Sequence, residues 1–424
     1  MLISGDASHE GKTAPLHGSE AVFSSWAAHN RKTNRKAKEK DTNMRNLEES
    51  RKEIDDIDGQ LVQLLKRRLA IAGDVLQAKV EKGLPILDPA REREVMARVA
   101  EEVGPGMEDE ARLVFTTLFG ISRARQRAAL PDRCAFAAEL AAARAAAGGT
   151  FPSRATVACP GAEGGYSQQA LCAMVKFPSI FYFKGFEDVF NAVEKGMCDY
   201  GVLPIENSKA GSVTAVYDLM ARHSFKIVRA TRLRIHHVLL APKGVRLEDV
   251  REITSHPHAL AQCANFIAAH PSIRCVPASN TAVAAKELAA SGRRDAAVIA
   301  SRECAVLYGL EPVAEEISDT TSNFTRFICI SKTGEIYPRA NKISLLMSLG
   351  HRPGALADVL IRFASVGVNL TKLESRPVEG SDFEFRFIFE LEASPFDERV
   401  VRILTGLAND PDIEHFTFLG AYEE

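Results

Sequence analysis

The chain has 424 residues, and a typical domain size of about 150 residues predicts roughly three domains. Hydrophobic residues make up 46% and charged residues 25% of the sequence, a composition typical of soluble globular proteins with buried cores. The formal net charge of −2 argues against bulk electrostatic binding of nucleic acid or of an anionic membrane, and no apolar stretch approaches the ~20 residues that span a bilayer.

The first 43 residues are polar and predict a disordered extension, with a nucleic-acid-binding arm as the alternative. They contain a loose basic cluster that consists of Arg31, Lys32, Arg35, Lys36, Lys38 and Lys40. Organised sequence begins just after Met44, which is therefore a candidate for the true start. The lack of an apolar signal core argues against secretion. The eight cysteines include no CxxC pair, which predicts buried or free thiols in a reducing cytosol.

Three helices are predicted for residues 44–131. The first covers about 46–82 and the third about 108–129. Asp88-Pro89 opens the second, because Asp suits an N-cap and Pro suits the first helical position. Residues 132–153 are rich in alanine and predict a linker that is partly helical.

An α/β architecture is predicted for residues 154–334, where short apolar runs alternate with amphipathic helices. These runs lie at 155–159, 199–205, 235–241 and 295–300. Residues 341–424 predict the order strand, helix, strand, strand, helix, strand, which is the ferredoxin-like pattern. These elements lie at 343–349, 354–366, 368–376, 383–392, 396–407 and 413–420.

Cations interrupt the apolar face of the first predicted helix. At about 100° per residue, Arg68 and Lys79 fall in the middle of this face and Arg51 lies at its edge. The apolar members of the face are Ile54, Ile57, Leu61, Leu64, Leu65, Ala72, Val75 and Leu76. Cations in a packing seam are costly unless an anion meets them, so a bound anion is one explanation. Pairing with structural carboxylates, or extension of the side chains toward water, is the other.

Residues 47–128 resemble the all-helical bacterial chorismate mutase that is fused to the front of a dehydratase. The positions that match its active site are Arg51, Arg68, Lys79, Asp88, Arg91, Glu92, Ser122 and Gln126. Chorismate rearranges without acid, base or cofactor, so a protein has only to hold it folded and stabilise developing charge. The resemblance implies that Lys79 and Gln126 donate to the ether oxygen and that Glu92 accepts from the ring hydroxyl.

The same resemblance implies how the two carboxylates of chorismate are bound. Arg51 and Arg68 would bind them, with Arg91 nearby, and Asp88 and Ser122 would complete the substrate site. Taken alone, Asp88 is better explained as a helix cap. In this family two chains interlock, and the residue at the Arg51 position reaches into the partner's site.

Compact polar motifs of the middle segment lie at predicted strand ends, where the sites of α/β proteins collect. They are Gly161-x-x-Gly164-x-Tyr166-Ser167, Pro204-Ile205-Glu206-Asn207-Ser208, Gly211-Ser212-Val213, Ser255-His256-Pro257, Asn280-Thr281-Ala282 and Asn323-Phe324-Thr325-Arg326-Phe327. Taken singly, each is also explained by turns, helix caps or strand residues. His256 and His258 suggest a metal pair, but no third ligand is evident. His236 and His237 are expected on opposite faces of a strand.

Together these motifs resemble prephenate dehydratase over residues 154–332, most specifically in Thr325-Arg326-Phe327. Prephenate must lose its ring hydroxyl and its ring carboxylate, which a positioned donor and a cation can promote without metal or cofactor. The resemblance implies that Thr325 is the donor and that Arg326 holds a carboxylate. The remaining cleft residues would be Glu206, Asn207, Ser208, Ser255, Gln262 and Thr281. It also implies two α/β lobes around a cleft, like those of the periplasmic binding proteins.

Residues 341–424 resemble an ACT regulatory domain. The motif Gly354-Ala355-Leu356 opens its first helix, and Glu374-Ser375-Arg376 ends its second strand. In the dehydratase family these two stretches face each other across a dimer contact and bind phenylalanine. A plain helix start and a plain turn are the structural alternative.

The sequence therefore predicts a multidomain, bifunctional enzyme with an all-α mutase, an α/β dehydratase and an α+β ACT domain. It would convert chorismate to prephenate and prephenate to phenylpyruvate, under feedback inhibition by L-phenylalanine. We expect a cytoplasmic homodimer or larger homo-oligomer without cofactor, nucleic-acid partner or membrane partner. The alternatives are an arogenate-preferring dehydratase and a non-catalytic small-molecule sensor. A fused prephenate dehydrogenase is disfavoured, because the sequence contains no GxGxxG turn for NAD.

Overall fold

The computed structural model describes residues 46–130, 135–377 and 385–424. The predicted N-terminal extension and Met44 lie outside these ranges. Between Val80 and Glu81 the chain separates into two compact units. Within the described ranges, no helix combines the length and the apolar character that crossing a bilayer requires.

The described part of the first unit is almost entirely the long helix α1 (Leu47–Glu81), whose last residue already belongs to the second unit. Two glutamates in its first turn and Lys79 in its last turn suit the helix dipole. Most of its predicted apolar face is open in a single chain, with exposed fractions of 55% for Ile54 and 61% for Leu64. A long exposed apolar stripe indicates that this helix has a partner surface.

The second unit begins with a helical hairpin of α2 (Pro89–Val103) and α3 (Glu108–Ala128), followed by α4 (Phe136–Ala146). Asp88 caps α2, because its carboxylate accepts a hydrogen bond from the backbone N–H of Arg91 at 3.0 Å. A proline follows in the first turn, so the predicted start of this helix is confirmed.

The alanine-rich segment differs from the predicted linker. Helix α4 places Phe136, Leu140 and Ala143 on one face, and all three are buried in the core of the final segment. Seven of the eleven residues of α4 are alanine, which hides the helical spacing of the three buried residues. α4 is therefore part of a folded core and not only a connection.

The described residues of the middle segment form two sheets. The strands of the first sheet are β1 (Arg154–Pro160), β2 (Phe177–Phe183), β3 (Tyr200–Asn207), β4 (Gly211–Ser212), β5 (Lys226–Arg234) and β11 (Phe324–Ser331). The strands of the second sheet are β6 (Val238–Pro242), β7 (Glu252–Ser255), β8 (Arg274–Pro277), β9 (Ala296–Ala300) and β10 (Leu310–Ala314). The strand orders are β2-β1-β3-β11-β5, with β4 beside β3, and β10-β6-β9-β7-β8.

Helices cover both sheets. They are α5 (Tyr166–Met174), α6 (Phe186–Glu194), α7 (Thr214–Arg222), α8 (Pro257–Ala261), α9 (Ala264–Ala268), α10 (Thr281–Ser291) and α11 (Arg302–Tyr308), with a short 3-10 turn at Leu247–Asp249. The chain passes from the first sheet to the second at residues 235–237 and returns at residues 315–323. Polar motifs at these crossings and at the carboxyl ends of parallel strands therefore meet between the two sheets.

The final segment, which we call the tail, has the predicted βαββαβ order. Its elements are β12 (Lys342–Leu349), α12 (Ala355–Ser365), β13 (Asn369–Pro377), β14 (Phe385–Glu392), α13 (Glu398–Ala408) and β15 (Ile413–Tyr422). They form an antiparallel sheet of order β13-β14-β12-β15. The start of the strand predicted at 383–392 lies partly outside the described residues.

The tail and the first sheet share a hydrophobic core. Ile328 of the first sheet belongs to the same buried cluster as Leu419 and Tyr422 of the tail. Where the tail runs beside β5, the backbone N–H of Ala230 donates to the carbonyl of Glu423 at 3.0 Å. The tail therefore packs directly against the first sheet and shares its hydrophobic core, unlike a separate domain that is joined only by a linker.

Gly420 permits this close approach, and its replacement tests the shared core. Its φ is +147°, and an added Cβ would collide with the backbone carbonyl oxygen of Ile227. We expect Gly420→Ala to lower the free energy of unfolding by more than about 1 kcal/mol, because both backbones belong to packed strands. Thermal unfolding followed by circular dichroism measures the effect.

Gly406→Ala is the matched control for this substitution. Gly406 lies in α13, and a Cβ there would meet no atom within 4 Å. Alanine is the better helix former by about 1 kcal/mol, so the control should be neutral or stabilising. Equal thermal midpoints for the two variants would contradict the close packing of β15 on β5.

Candidate active sites

A cavity of about 670 Å³ lies between the two sheets of the middle segment. Its polar lining comes from both sheets and from the first crossing, and includes Tyr166, Lys184, His237, Gln262, Thr281 and Thr325. Three of these, Gln262, Thr281 and Thr325, are residues that the sequence predicts for the cleft. The cavity therefore gathers motifs that are up to about 160 residues apart in the chain.

The hydroxyl of Thr325 is held by Asn207 from the neighbouring strand. The two residues are register partners on β11 and β3, and Asn207 Nδ2 lies 2.8 Å from Thr325 Oγ1. The amide oxygen of Asn207 accepts the backbone N–H groups of Lys209 at 3.0 Å and Ala210 at 2.9 Å. Nδ2 must therefore donate to Thr325, which leaves the Thr325 proton available to a group in the cavity.

The same network continues to the second sheet. Asn207 Nδ2 also donates to Asn323 Oδ1 at 2.9 Å, and Asn323 Nδ2 donates to Gln262 Oε1 at 2.9 Å. Because an amide oxygen only accepts, His237 Nε2, which lies 2.9 Å from Gln262 Oε1, must carry a proton. The orientation of one amide thus determines the tautomer of His237 on the other side of the cavity.

His237 is a cavity residue that was absent from the predicted site. It is 2% exposed, and its Nδ1 lies 3.1 Å from the hydroxyl of Tyr166. Burial lowers the pKa of His237, the hydrogen bond to Gln262 opposes this effect, and the adjacent His236 lowers the pKa further. The ring is therefore neutral near pH 7. The expected alternation of faces does not apply, because β6 begins only at Val238.

Arg326 and Glu206 point away from the cavity, which corrects their expected placement. They form the next register pair along β11 and β3, and successive side chains of a strand alternate between its faces. Arg326 Nη1 donates to Glu390 Oε2 of the tail at 2.6 Å. Glu206 Oε1 lies 3.2 Å from Lys372 Nζ, also of the tail. Neither side chain lines the 670 Å³ cavity.

The two predicted serines bond to the backbone and also lie outside the cavity lining. Ser255 is fully buried, and its hydroxyl donates to the carbonyl of Ile299 at 2.6 Å. The Ser208 hydroxyl accepts from the N–H of Phe324 at 3.0 Å. Thr281, by contrast, lines the cavity at the first residue of α10. The two serines hold strand ends in place, and Thr281 faces the cavity space.

The histidine pair lines the cavity and also caps a helix. His256 Nδ1 accepts from the backbone N–H of His258 at 3.2 Å and so caps α8. The two rings lie 5.3 Å apart between centroids. Across the described residues, no group of three or more His, Cys, Asp and Glu side chains is placed to hold a metal ion.

Three of the predicted mutase residues lie on α1. They are Arg51, Arg68 and Lys79, and the last two are separated by ~16 Å along the helix axis. Burial lowers the pKa of Arg68. Their common helix therefore presents cations along much of its length.

The remaining predicted mutase residues belong to the hairpin of the second unit, where Asp88 is the helix cap described above. Glu92, in the first turn of α2, forms an ion pair with Arg123 of α3. Gln126 is buried, and Ser122, one turn before it, donates to a carbonyl of its own helix at 2.8 Å. Arg91 is exposed and pairs with a glutamate of α2 at 2.7 Å. The hairpin therefore holds a carboxylate, a hydroxyl and an amide on two packed helices.

Two buried arginines on α3 connect this hairpin to the tail and were not among the predicted residues. Arg123 Nη2 lies 3.6 Å from Asp358, and Arg127 pairs with Asp410 and, at 3.3 Å, with Asp412. Burial lowers the pKa of Arg127, and the two aspartates oppose this effect. The partners are more than 200 residues away in sequence, so no local pattern reveals these pairs.

The two predicted effector motifs lie apart within one chain. A cavity of about 220 Å³ at the start of α12 is lined by Ala355 and Leu356, next to Gly354, whose φ of +83° begins the helix. Glu374 instead accepts a hydrogen bond from the Ser212 hydroxyl at 2.5 Å. Arg376 pairs with an aspartate of α7 at 3.0 Å. In the described part of a single chain, β13 thus contacts the first sheet and not this cavity.

Known families match both parts of the chain. The family model for prephenate dehydratase matches residues 157–335, and that for chorismate mutase type II matches residues 50–127. A bifunctional chorismate mutase/prephenate dehydratase of Aquifex aeolicus is 32% identical and covers 89% of this chain and 98% of its own length.

Two further relatives match shorter parts of the chain. A chloroplastic arogenate dehydratase/prephenate dehydratase of Arabidopsis thaliana is 39% identical over 58% of this chain and 67% of its own length. A solved prephenate dehydratase from Arthrobacter aurescens in complex with L-Phe is 33% identical, with a TM-score of 0.58. That likeness covers 63% of this chain and 90% of the solved chain.

Proposed function

The chain belongs to the bifunctional chorismate mutase/prephenate dehydratases, and we propose that it carries out two consecutive steps of phenylalanine biosynthesis. The mutase segment rearranges chorismate to prephenate, and the cavity between the two sheets converts prephenate to phenylpyruvate. The observation that carries this proposal is the Thr325 hydroxyl, which lines the cavity and accepts from Asn207 at 2.8 Å. A non-catalytic sensor has no need of a hydroxyl oriented in this way.

Dehydration uses the proton of Thr325. As the bond between the ring and its hydroxyl oxygen breaks, Thr325 donates to this oxygen, which leaves as water. The bond to the ring carboxylate breaks as well, its electron pair enters the ring, and carbon dioxide leaves. Thr325 then recovers a proton from solvent. Asn207 can hold Thr325 throughout, because it donates to a lone pair and does not compete for the proton.

The substrate carboxylates need cationic or dipolar partners inside the cavity. Lys184 lines the cavity, as does the N-terminal end of α10 at Thr281. A helix N-terminus carries partial positive charge, and here Asn280 Oδ1 already accepts the N–H groups of Ala282 at 2.8 Å and Val283 at 3.4 Å, so the dipole is the attraction that this end offers an anion. We therefore assign carboxylate binding to Lys184 and this helix end. We also propose that the two sheets act as lobes like those of the periplasmic binding proteins, which their two connecting segments support.

The mutase reaction is assigned to α1 and the hairpin. Arg51, Arg68 and Lys79 come from α1, and Glu92 and Gln126 from the hairpin. The reaction needs no proton transfer, so the rate comes from holding chorismate folded and from donors at the ether oxygen. The exposed apolar stripe of α1 supports a homodimer or larger oligomer, in which Arg51 enters the partner's site.

We propose that the tail is an ACT domain that binds L-phenylalanine between two chains. The cavity at the start of α12 and the relative solved with L-Phe support this assignment. Binding that favours one arrangement of the tail shifts the cavity toward a state with weaker substrate binding. The described cysteines are free thiols, which supports a cytoplasmic location.

Arogenate is a second candidate substrate for the dehydratase cavity. The plant relatives at 38–39% identity carry that name. Arogenate loses the same hydroxyl and the same ring carboxylate, so Thr325 keeps its role with either substrate. The ratio of kcat/KM for prephenate and arogenate, measured on one preparation, decides between them.

We expect the purified protein to convert chorismate to phenylpyruvate through prephenate without added metal or nucleotide. Lys79→Ala should abolish mutase turnover and leave dehydration of supplied prephenate within about twofold, and Thr325→Ala should do the reverse. The reason is that the two residues belong to separate sites. Absorbance assays of chorismate loss and phenylpyruvate formation measure the two rates.

Two controls accompany these variants. Thr325→Ser keeps the hydroxyl and should retain far more activity than Thr325→Ala. Mixed chains with Arg51→Ala and Lys79→Ala leave one complete mutase site per pair and should regain mutase activity. Conversion that stops at prephenate would contradict the dehydratase assignment, and no recovery after proven subunit exchange would contradict the interlocked dimer.

Asn207→Asp tests the orientation of the Thr325 proton. The aspartate can still accept from the N–H groups of Lys209 and Ala210, but it cannot donate to Thr325 and attracts the Thr325 proton instead. We expect kcat for dehydration to fall about 100-fold or more, the range of a positioned general acid, with mutase activity unchanged. Steady-state kinetics on prephenate measure the effect, and a kcat within threefold of the parent protein would refute the orientation argument.

Ser375→Trp tests the effector site. Ser375 is exposed on β13. A bulky side chain should raise the phenylalanine concentration for half-inhibition by about tenfold, within the usual range of allosteric coupling, and leave uninhibited turnover within about twofold. Ser365→Trp, at the exposed end of α12, is the control. Calorimetry that detects no phenylalanine binding to the intact protein would falsify the sensing assignment. Deletion of the tail is a poor test, because the tail shares a core with the first sheet.

A further inference from the structure

A band of charges joins the strands behind the cavity to the tail. On the face turned away from the cavity, Arg326 and Glu206 are register partners. Arg326 reaches Glu390 of β14, and Glu206 reaches Lys372 of β13. Arg326 directly follows Thr325, and Glu206 directly precedes Asn207. Each of these two contacts with the tail thus starts one residue away from the Thr325–Asn207 pair.

The pair of Arg326 and Glu390 is bidentate and buried. Arg326 Nη1 donates to Glu390 Oε2 at 2.6 Å, and Nη2 donates to the other carboxylate oxygen. The side chains are 7% and 2% exposed. Burial by itself lowers the pKa of Arg326, but the hydrogen bonds and charge of Glu390 raise it above its ordinary value, so the guanidinium stays charged. Two parallel hydrogen bonds fix the direction of the guanidinium as well as its position.

Two further carboxylates lie near Arg326, but only Glu390 forms the bidentate pair. Glu424 Oε2 lies 3.7 Å from Arg326 Nη1 and 3.1 Å from Lys342 Nζ, and Arg232 Nε donates to Glu424 Oε1 at 2.6 Å. Glu206 lies 3.8 Å from Arg326 Nε and is shared with Lys372. Loss of Glu390 would therefore leave the buried guanidinium with these longer contacts, which do not fix its direction.

The β3–β11 pair needs such a constraint at this point. The register of β11 against β3 shifts between Arg326 and Phe327, where Ile205 is an extra residue that marks a bulge in β3. A bulge bends its strand and changes the direction of nearby side chains. A rigid bond from Arg326, whose register partner Glu206 lies next to the bulge, therefore holds β11 against the bent strand, and with it the direction of Thr325 on the opposite face.

We propose that Glu390 is a positioning residue for dehydration. Through Arg326 it fixes β11 and keeps the Thr325 hydroxyl directed into the cavity, while Lys372 and Glu206 hold the β3 side. This inference rests on the proposed dehydratase function. It gives Arg326 a role other than substrate binding, and it makes a residue of the tail necessary for turnover in the cavity.

Steady-state kinetics on prephenate test the proposal with three variants of the full chain. Glu390→Gln should lower kcat about 10- to 100-fold, the effect of a slightly misplaced reacting group, and change KM less than about threefold. Arg326→Lys keeps the charge but loses the second hydrogen bond, so it should lower kcat in the same way. The double variant Arg326→Met/Glu390→Met removes both charges and should remain folded but slow.

Two matched variants provide the controls. Glu392→Gln removes an exposed carboxylate from the same strand and should leave both kinetic constants unchanged. Lys184→Ala removes a cation from the cavity and should raise KM with little change in kcat, which is the pattern of a lost substrate contact. Thermal unfolding of every variant confirms that the compared proteins are folded.

The outcomes separate three roles. Full kcat in the folded double variant would mean that the pair is merely structural. A raised KM in Arg326→Lys, together with normal kinetic constants in Glu390→Gln, would mean that Arg326 binds substrate. Either result overturns the proposal. Non-additive kcat losses when Glu390→Gln and Arg326→Lys are combined in one chain support it. A parent protein that does not dehydrate prephenate would overturn the proposed function itself.

Discussion

The register between β3 and β11 is the constraint on which the rest of the dehydratase region depends. On one face of this strand pair Asn207 donates to Thr325, and on the other Arg326 and Glu206 meet the tail. Because side chains alternate along a strand, the same four residues must satisfy the cavity and the tail at once. A slip of one residue would place Thr325 against Glu390 and turn a cation into the cavity. Both faces carry buried polar groups, so such a slip is opposed from both sides.

Strong local signals account for the parts that the sequence predicts well. Asp88-Pro89 begins a helix because of its own chemistry, and the βαββαβ order of the tail follows from clear alternation of strands and helices. Thr325 and Gln262 were predicted for the cleft and line the cavity. The direction of the Arg326 side chain was not predicted. Thr325 and Arg326 are adjacent in the motif, and the sequence does not show which of them occupies the cavity face of the strand.

Long-range partners account for most of what the sequence leaves open. Arg127 looks like an ordinary basic residue near a helix end, yet it is buried against Asp410 and Asp412. His237 joins the network of the cavity through Gln262, 25 residues further along the chain. Such pairings depend on how the sheets and helices pack, and neither residue carries a local pattern that distinguishes it from a surface residue.

The shared core bears on how a ligand at the tail can influence the cavity. An effector shifts an equilibrium only if the two states differ in contacts that it favours. Apolar contacts across the shared core tolerate small shifts, because dispersion is spread over many atoms. A buried bidentate pair such as Arg326 with Glu390 does not, because partial separation exposes two unpaired charges to a poorly solvating interior. The ion pairs at this boundary are therefore the contacts that can change between two discrete states. Arg326 and Glu206, which form these ion pairs, are adjacent in sequence to Thr325 and Asn207. A change in the ion pairs therefore moves the donor hydroxyl directly, through the backbone of β3 and β11.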